Sequence, residues 1–431
     1  MASIKLVLIG AGSAGFTTST MADLIVSQEF AGSTVVLVDI DETRLDGITR
    51  LTRRMVQERN AELTIEATTD RRRALPGANF VIATIAIDHH NVWGNDIAIP
   101  LKYGIAQSVG DSTGPGGILR ALRTIPLMVD IACDMEELCP EAWLLNYTNP
   151  MSTICRALNR STDIRTVGLC HGLRGTRRRL AQYLEVREDE LSLHAAGINH
   201  LTWVLDMRLR GEDAYPLLRE RLADKGPEDM PVSFELFRIY GLFPSPGDVH
   251  VAEFFPFFLL NEDERREYGL PVKDVDARAA GQEKRWERIQ RQIEGSQPIE
   301  DLFHQSVEHG AAIISAVVHD RNEMHMVNVP NRGCILNLPN EAVVEVPGAV
   351  GGYGIKGVAV GELPEAIAGV LTSVITAEEL TVEAALTGDK DVALQALLAD
   401  PLVNSIKVAR QLLDEMLEAE GKYLPQFDIR A

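Results

Sequence analysis

The chain has 431 residues, 45% of them hydrophobic and 24% charged, with a formal net charge of −20, a size that suits roughly two globular domains. That acidity disfavours nucleic acid and anionic membrane surfaces as partners, since both call for clustered Lys and Arg. No apolar stretch reaches the roughly 18–20 residues of a membrane span and no apolar signal segment opens the chain, so a cytoplasmic location is expected.

In chain order, strand-like apolar runs fall at 4–9, 34–38, 63–67, 80–85, 142–146, 166–169 and 192–197, separated by amphipathic helical stretches such as 41–58 and 117–138. Runs that are apolar throughout suit a parallel sheet buried on both faces. The alternation predicts an α/β fold, a Rossmann-type doubly wound parallel sheet, over residues 1–200. Residues 201–211 read as one further strand, followed by a charged helical region to about 300. A β-rich patch is predicted through 311–350, and 361–421 carries Leu and Ala at helical spacing, suited to core and subunit packing. Residues 201–431 are therefore expected to form an α+β second domain, packed firmly on the first because no Ser- or Gly-rich linker divides them.

The first strand runs into Gly10-Ala11-Gly12-Ser13-Ala14-Gly15 and then a helix. In that setting Gly10 permits a tight turn, Gly12 lets a pyrophosphate approach the backbone, and Gly15 lets the helix pack close to the strand. The helix N-terminus offers free N–H groups to phosphate, with Ser13 and Ala14 beside it. The second strand ends in Asp39, whose carboxylate suits ribose hydroxyls and repels a 2′-phosphate, which predicts NAD rather than NADP. Arg44, one helical turn on, softens that repulsion. Ile85, at the end of the fourth strand, is expected to line the adenine or nicotinamide-ribose side.

Polar residues then gather at strand ends, where a doubly wound sheet binds ligands. The segments are Ser112-Thr113-Gly114-Pro115-Gly116-Gly117, Asn146-Tyr147-Thr148-Asn149-Pro150, Cys170-His171-Gly172 and Gly197-Ile198-Asn199-His200. Asn149 before a proline is held by a rigid turn and fits a substrate-orienting role, which a 2-hydroxy-acid dehydrogenase would also use. Five scattered cysteines, Cys133, Cys139, Cys155, Cys170 and Cys334, are an odd number and not a disulfide framework, so reduced thiols are expected. Cys170 and His200 could together hold a divalent metal with open positions, although a buried cysteine and a core histidine satisfy the same spacing.

Taken together these motifs resemble glycoside hydrolase family 4, the NAD- and metal-dependent glycosidases. The likeness covers nearly the whole chain, including the GAGSAG turn, IPLKYG at 99–104, TGPGG with ALRTIP at 121–126, NYTNP, LCHG, GINH, NVPN at 328–331, NLP at 337–339 and VVEVP at 343–347. The fold this implies is that of the lactate and malate dehydrogenase superfamily, assembled as a homodimer or homotetramer. It also implies that Cys170 and His200 are metal ligands, usually for Mn²⁺, with Asn149 contacting substrate hydroxyls beside them. Members acting on 6-phosphoglycosides tend to carry Asp or Asn after the cysteine. His171 stands there in this chain, which implies an unphosphorylated glycoside and makes His171 a candidate catalytic residue.

The reaction the resemblance implies is oxidation at sugar C3, loss of the C2 proton, elimination at C1, water addition and reduction at C3, with no net use of NAD. Many members have a tyrosine as base in a His-x-x-Glu-Tyr segment. The corresponding stretch here is Asp248-Val249-His250-Val251-Ala252-Glu253-Phe254, leaving Asp248 and His250 as candidate bases and Tyr240 further back. That segment looks more like the uronidase-type branch, so an α-hexuronide is the preferred substrate. α-Glucosides, α-galactosides and sulfoquinovosides remain open, as do a plain NAD-dependent dehydrogenase and an NAD-binding sensor. Arg174, Arg321 and Arg332 are candidate carboxylate partners. His89-His90, Trp93 and Asp96 are expected in a loop closing over the nicotinamide.

Overall fold

A computed structural model describes residues 3–427 apart from 227–228, 273–274 and 305–307, and omits the side chains of 89–91, 275–276 and 278–279. Its strands, in chain order, are β1 (Lys5–Ile9), β2 (Ser33–Val38), β3 (Leu63–Thr68), β4 (Phe80–Ala83), β5 (Trp143–Asn146), β6 (Arg165–Gly168), β7 (Leu191–Ile198), β8 (Leu201–Leu209), β9 (Glu212–Asp213), β10 (Phe243–Ser245), β11 (Glu323–Pro330), β12 (Val343–Gly351) and β13 (Gly354–Gly357). Six of them run parallel in the order β3-β2-β1-β4-β5-β6, the order of two mononucleotide-binding halves joined at β1 and β4.

The apolar runs form these strands because both faces are covered. Leu6 and Leu8 of β1 belong to one core, with the helices Phe16–Val26 and Glu42–Glu58. Val7 and Ile9 belong to the other, with Gly114–Leu138 and the C-terminal helices, as a period of two requires. Of the six parallel strands only β3, at the sheet edge, is largely open to solvent.

Beyond β6 the sheet continues antiparallel through β11, β12, β7, β8 and β10. The run at 192–197, grouped by its apolar character with the parallel strands, is therefore an antiparallel strand. The boundary drawn at residue 200 passes through the β7–β8 hairpin, and both halves of the chain contribute to one sheet. Two single bridges, Asn328 with Gly168 and Glu345 with Gly197, stitch the β11–β12 hairpin between β6 and β7.

Within the expected β-rich patch, AAIISAVV is a buried helix, Gly310–Val318. A short apolar run with β-branched residues suits either state, and burial on the neighbouring sheet selects the helix. The C-terminal region folds as the helices Glu365–Thr387, Lys390–Ala399 and Ile406–Glu420. Among the described residues no helix is long and apolar enough to cross a membrane.

Candidate active site at the strand ends

At the carboxyl end of β1 the chain turns sharply at Gly10, whose φ is +88°. A Cβ on this residue would lie 2.2 Å from the Thr84 carbonyl oxygen, so only glycine lets the turn sit against the end of β4. Ala11 and Gly10 both donate to the Val38 carbonyl, at 3.0 and 2.9 Å. Gly12 N–H donates to the Asp39 carboxylate at 2.6 Å. Asp39 therefore stands at the glycine turn, as expected from its place after β2. The helix begins at Phe16 without a side-chain cap at Gly15, and Thr17 N–H turns back to the Ser13 carbonyl at 3.2 Å, so the positive end of the helix faces the glycine turn. The Ser13 hydroxyl accepts from Phe16 N–H at 3.4 Å, and the Ala14 carbonyl accepts from Thr18. The tight turn, the helix start and the carboxylate fit a dinucleotide.

Arg44 pairs with Asp41 at 3.3 Å and lies over the Trp286 ring, beside the turn but already engaged. Ile85 N–H donates to the Thr148 hydroxyl at 3.0 Å, which joins the end of β4 to the Asn149 turn.

The second half of the site gathers three donors. Asp111, His200 and His250 each place one ligand atom within 4.8 Å of the others. His200 sits in the two-residue turn Asn199–His200 between paired Ile198 and Leu201, with φ at +65°. A non-glycine residue held there carries backbone strain of roughly 1–3 kcal/mol, of the kind that recurs at functional sites. Its Nδ1 shares a 2.6 Å hydrogen bond with the Ser112 hydroxyl. The His200 and His250 ring centroids are 4.1 Å apart, and each Nδ1 lies 3.9 Å from Asp111 Oδ1.

Burial, then the neighbouring His250, pushes His200 down to about 3. Burial alone would raise Asp111, but His250, His200 and Arg120 face it and bring it below the usual carboxylate range. A neutral imidazole beside an ionised carboxylate is the protonation state that a divalent cation requires.

Asp111 was missing from the sequence reading, which began its polar segment at Ser112, one position late. What holds Asp111 is equally local. A Cβ on Gly117 would lie 2.7 Å from the Ser112 carbonyl carbon, so TGPGG lets the following helix close on this loop. Glu253, buried beneath it, accepts from Val109 and Gly110 N–H at 2.7 and 2.9 Å. Burial raises Glu253 to about 8 against those two donors.

The other candidates surround this group. Asn149 Nδ2 donates to Asp111 Oδ2 at 3.4 Å, while its Oδ1 is buried without a partner. Cys170 follows β6 and is not one of the three clustered donors. Gly172 N–H points to its Sγ at 3.4 Å, and its carbonyl oxygen hydrogen-bonds with His309 Nε2 at 2.9 Å. Burial, followed by Glu345, pushes its thiol well up. His171 is half exposed, its Nδ1 3.1 Å from Glu308 Oε1, and that hydrogen bond raises its pKa.

Several expectations are corrected. Asp248 accepts from the N–H groups of Val232 and Ser233 at 2.8 and 3.0 Å and from the Ser233 hydroxyl at 2.6 Å. Both its oxygens thus satisfy the start of the helix Pro231–Tyr240, so it is a structural cap and not a candidate base. Tyr240 packs in an aromatic cluster with Trp203 and Phe255. Trp93 and Asp96 lie inside the helix His89–Lys102 and not in a loop. Trp93 donates to the Val109 carbonyl, and Asp96 is buried against Arg123. The side chains of His89 and His90 lie outside the described residues.

A cavity of about 860 Å³ opens beside Cys170, lined in part by Arg174, Glu308, His309 and Arg321. Arg332 does not line it and is exposed.

The model of the family 4 glycosyl hydrolases matches residues 5–186, and the model of their C-terminal domain matches residues 195–403. The chain is 35% identical to an alpha-galactosidase of Bacillus subtilis over 98% of its own length and 99% of that protein's. It is 34% identical to an alpha-galacturonidase of Thermoanaerobacterium saccharolyticum, over 99% of this chain and 98% of the relative. Among solved structures, a 6-phospho-beta glucosidase from Thermotoga maritima with manganese, NAD+ and glucose-6-phosphate superposes with a TM-score of 0.83. It is 26% identical, over 97% of this chain and 99% of that one.

Proposed function

The chain belongs to glycoside hydrolase family 4, and on that premise we propose that it is an NAD- and Mn²⁺-dependent cytoplasmic glycosidase acting on an unphosphorylated α-glycoside, with an α-hexuronide as substrate. The observation that carries this reading is the convergence, at one end of the strands, of the Gly10–Asp39 turn with Asn149 and the Asp111–His200–His250 group. When bound, NAD supplies a reversible hydride store at sugar C3 and Mn²⁺ supplies Lewis acidity at the C2 and C3 oxygens, which acidifies the C2 proton and permits elimination at C1.

The chain's own residues divide the remaining work. Asp39, the Gly10–Gly15 turn and the start of the helix at Phe16 hold the dinucleotide. His200 and Asp111, with Cys170 after β6, would hold the metal, the imidazole of His200 being already neutral. Asn149, its carbonyl oxygen buried and unpartnered, orients a sugar hydroxyl by accepting from it. His250 is the base candidate left once Asp248 is spent as a cap, because it alone of the two faces the cluster. His171, and Arg174 in the cavity wall beside Cys170, suit an anionic sugar without a phosphate, whereas Arg321 is engaged by Glu29 and Glu323. The relatives' printed activities include both galactoside and galacturonide cleavage, so the sugar is decided by assay.

The test is a panel of p-nitrophenyl α-galacturonide, α-glucuronide, α-galactoside and α-glucoside with NAD, Mn²⁺ and a reductant. Nitrophenol release from a uronide without net NADH, with solvent deuterium appearing at C2, is the expected outcome. NADH accumulating in step with oxidation of a hydroxy acid would replace this reading with a dehydrogenase.

A further inference from the structure

The helix His89–Lys102 joins the two halves of the site. Its first residue follows the 84–88 segment, whose Thr84 packs under Gly10, and Trp93 and Asp96 hold the loop leading to Asp111. What holds its N-terminal end comes from the far end of the chain. Asp88, with φ at +34°, caps that helix with its backbone but spends its carboxylate elsewhere. Asp88 Oδ2 accepts from the Tyr423 hydroxyl and lies 3.5 Å from Lys422 Nζ. About two turns further along, half-buried Asn95 donates to Glu420, and buried Arg123 bridges Glu420 and Asp96 at 3.0 and 2.6 Å.

We propose that the C-terminal turn Glu420–Tyr423 is a latch for the cofactor-facing 84–88 segment, with Tyr423 and Asp88 as positioning residues for the dinucleotide. Asp88 sits four residues beyond Thr84, the group that contacts the glycine turn, and Ile85 is tied to the Asn149 turn. Releasing Asp88 frees the span between Ile85 and the start of the helix and costs the dinucleotide its pre-ordered wall. The latch rests on the NAD reading above.

The experiment measures NAD affinity by isothermal titration of the full-length protein, beside its thermal midpoint. Wild type is compared with Tyr423→Phe, Asp88→Ala, their double variant and Tyr103→Phe. Tyr103 is the control, because its hydroxyl donates to Glu415 at 2.8 Å at the opposite end of the same helix. Tyr423→Phe and Asp88→Ala should each weaken NAD binding roughly tenfold, as expected for a hydrogen bond to a charged group. The double variant should be no weaker than the worse single one, and Tyr103→Phe should bind NAD as wild type does. Unchanged affinity in Tyr423→Phe overturns the latch, and so does an equal loss in Tyr103→Phe, which would mark a general brace. Absence of NAD binding by wild type overturns the cofactor reading itself.

Discussion

Removing the His200 imidazole takes away a donor that burial already keeps neutral, so His200→Ala should weaken Mn²⁺ binding by tenfold or more, as should Asp111→Ala. Free Mn²⁺ followed by electron paramagnetic resonance reads this directly, independent of turnover. Asp248 invites the opposite expectation. Its three accepted hydrogen bonds cap a helix, so Asp248→Ala should cost about 1–2 kcal/mol of stability in denaturant titrations. Activity per folded molecule should survive, whereas a catalytic base would lose orders of magnitude. The sequence names Asp248 and His250 with equal force, since they stand two positions apart in one motif. Only the path of the chain separates them, turning one toward Ser233 and the other toward Asp111.

Short elements carry conditions that a residue list does not. The β1 turn demands both a positive φ and a Cβ-free approach to Thr84, so Gly10→Ala should destabilise by about 1–3 kcal/mol and abolish NAD binding, both measurable by thermal shift with and without NAD. At the other end of the chain, the helix Ile406–Glu420 terminates in a carboxylate shared through Arg123 with Asp96. Burial raises Glu420 from its ordinary 4.5 to about 7, with Arg123 opposing and Asp96 adding to the rise. The folded state therefore holds a proton between those values that the unfolded chain has released. The stability this contributes is complete below pH 4.5 and is lost as pH climbs through 7. Glu420→Gln should flatten that decline in urea titrations run from pH 4.5 to 8. Periodicity made these helices legible, but nothing in their spacing announced a shared buried charge.

The whole molecule is one sheet. Parallel strands from the first half meet antiparallel strands from the second at β6 and β11, and the C-terminal helices complete the core over Val7 and Val36. Neither half closes its core alone, so unfolding followed by tryptophan fluorescence and far-ultraviolet circular dichroism should give one coincident transition. Two separated transitions would restore independent domains.

The sequence by itself determined the parallel half of the sheet, the glycine turn with Asp39, and the strand-end placement of Asn149, Cys170 and His200. Those features are local: a run of apolar residues, a turn that only glycine allows, and a polar residue after each strand. Tertiary structure decided which of the polar residues meet. Asp111 joined His200 and His250 because a glycine-led helix start and a buried Glu253 hold its loop in place, and Asp248 left them because a helix N-terminus 15 residues earlier claimed its oxygens. Contacts between residues so distant in the chain depend on how elements pack, and packing is a property of the closed core and not of any one segment's pattern.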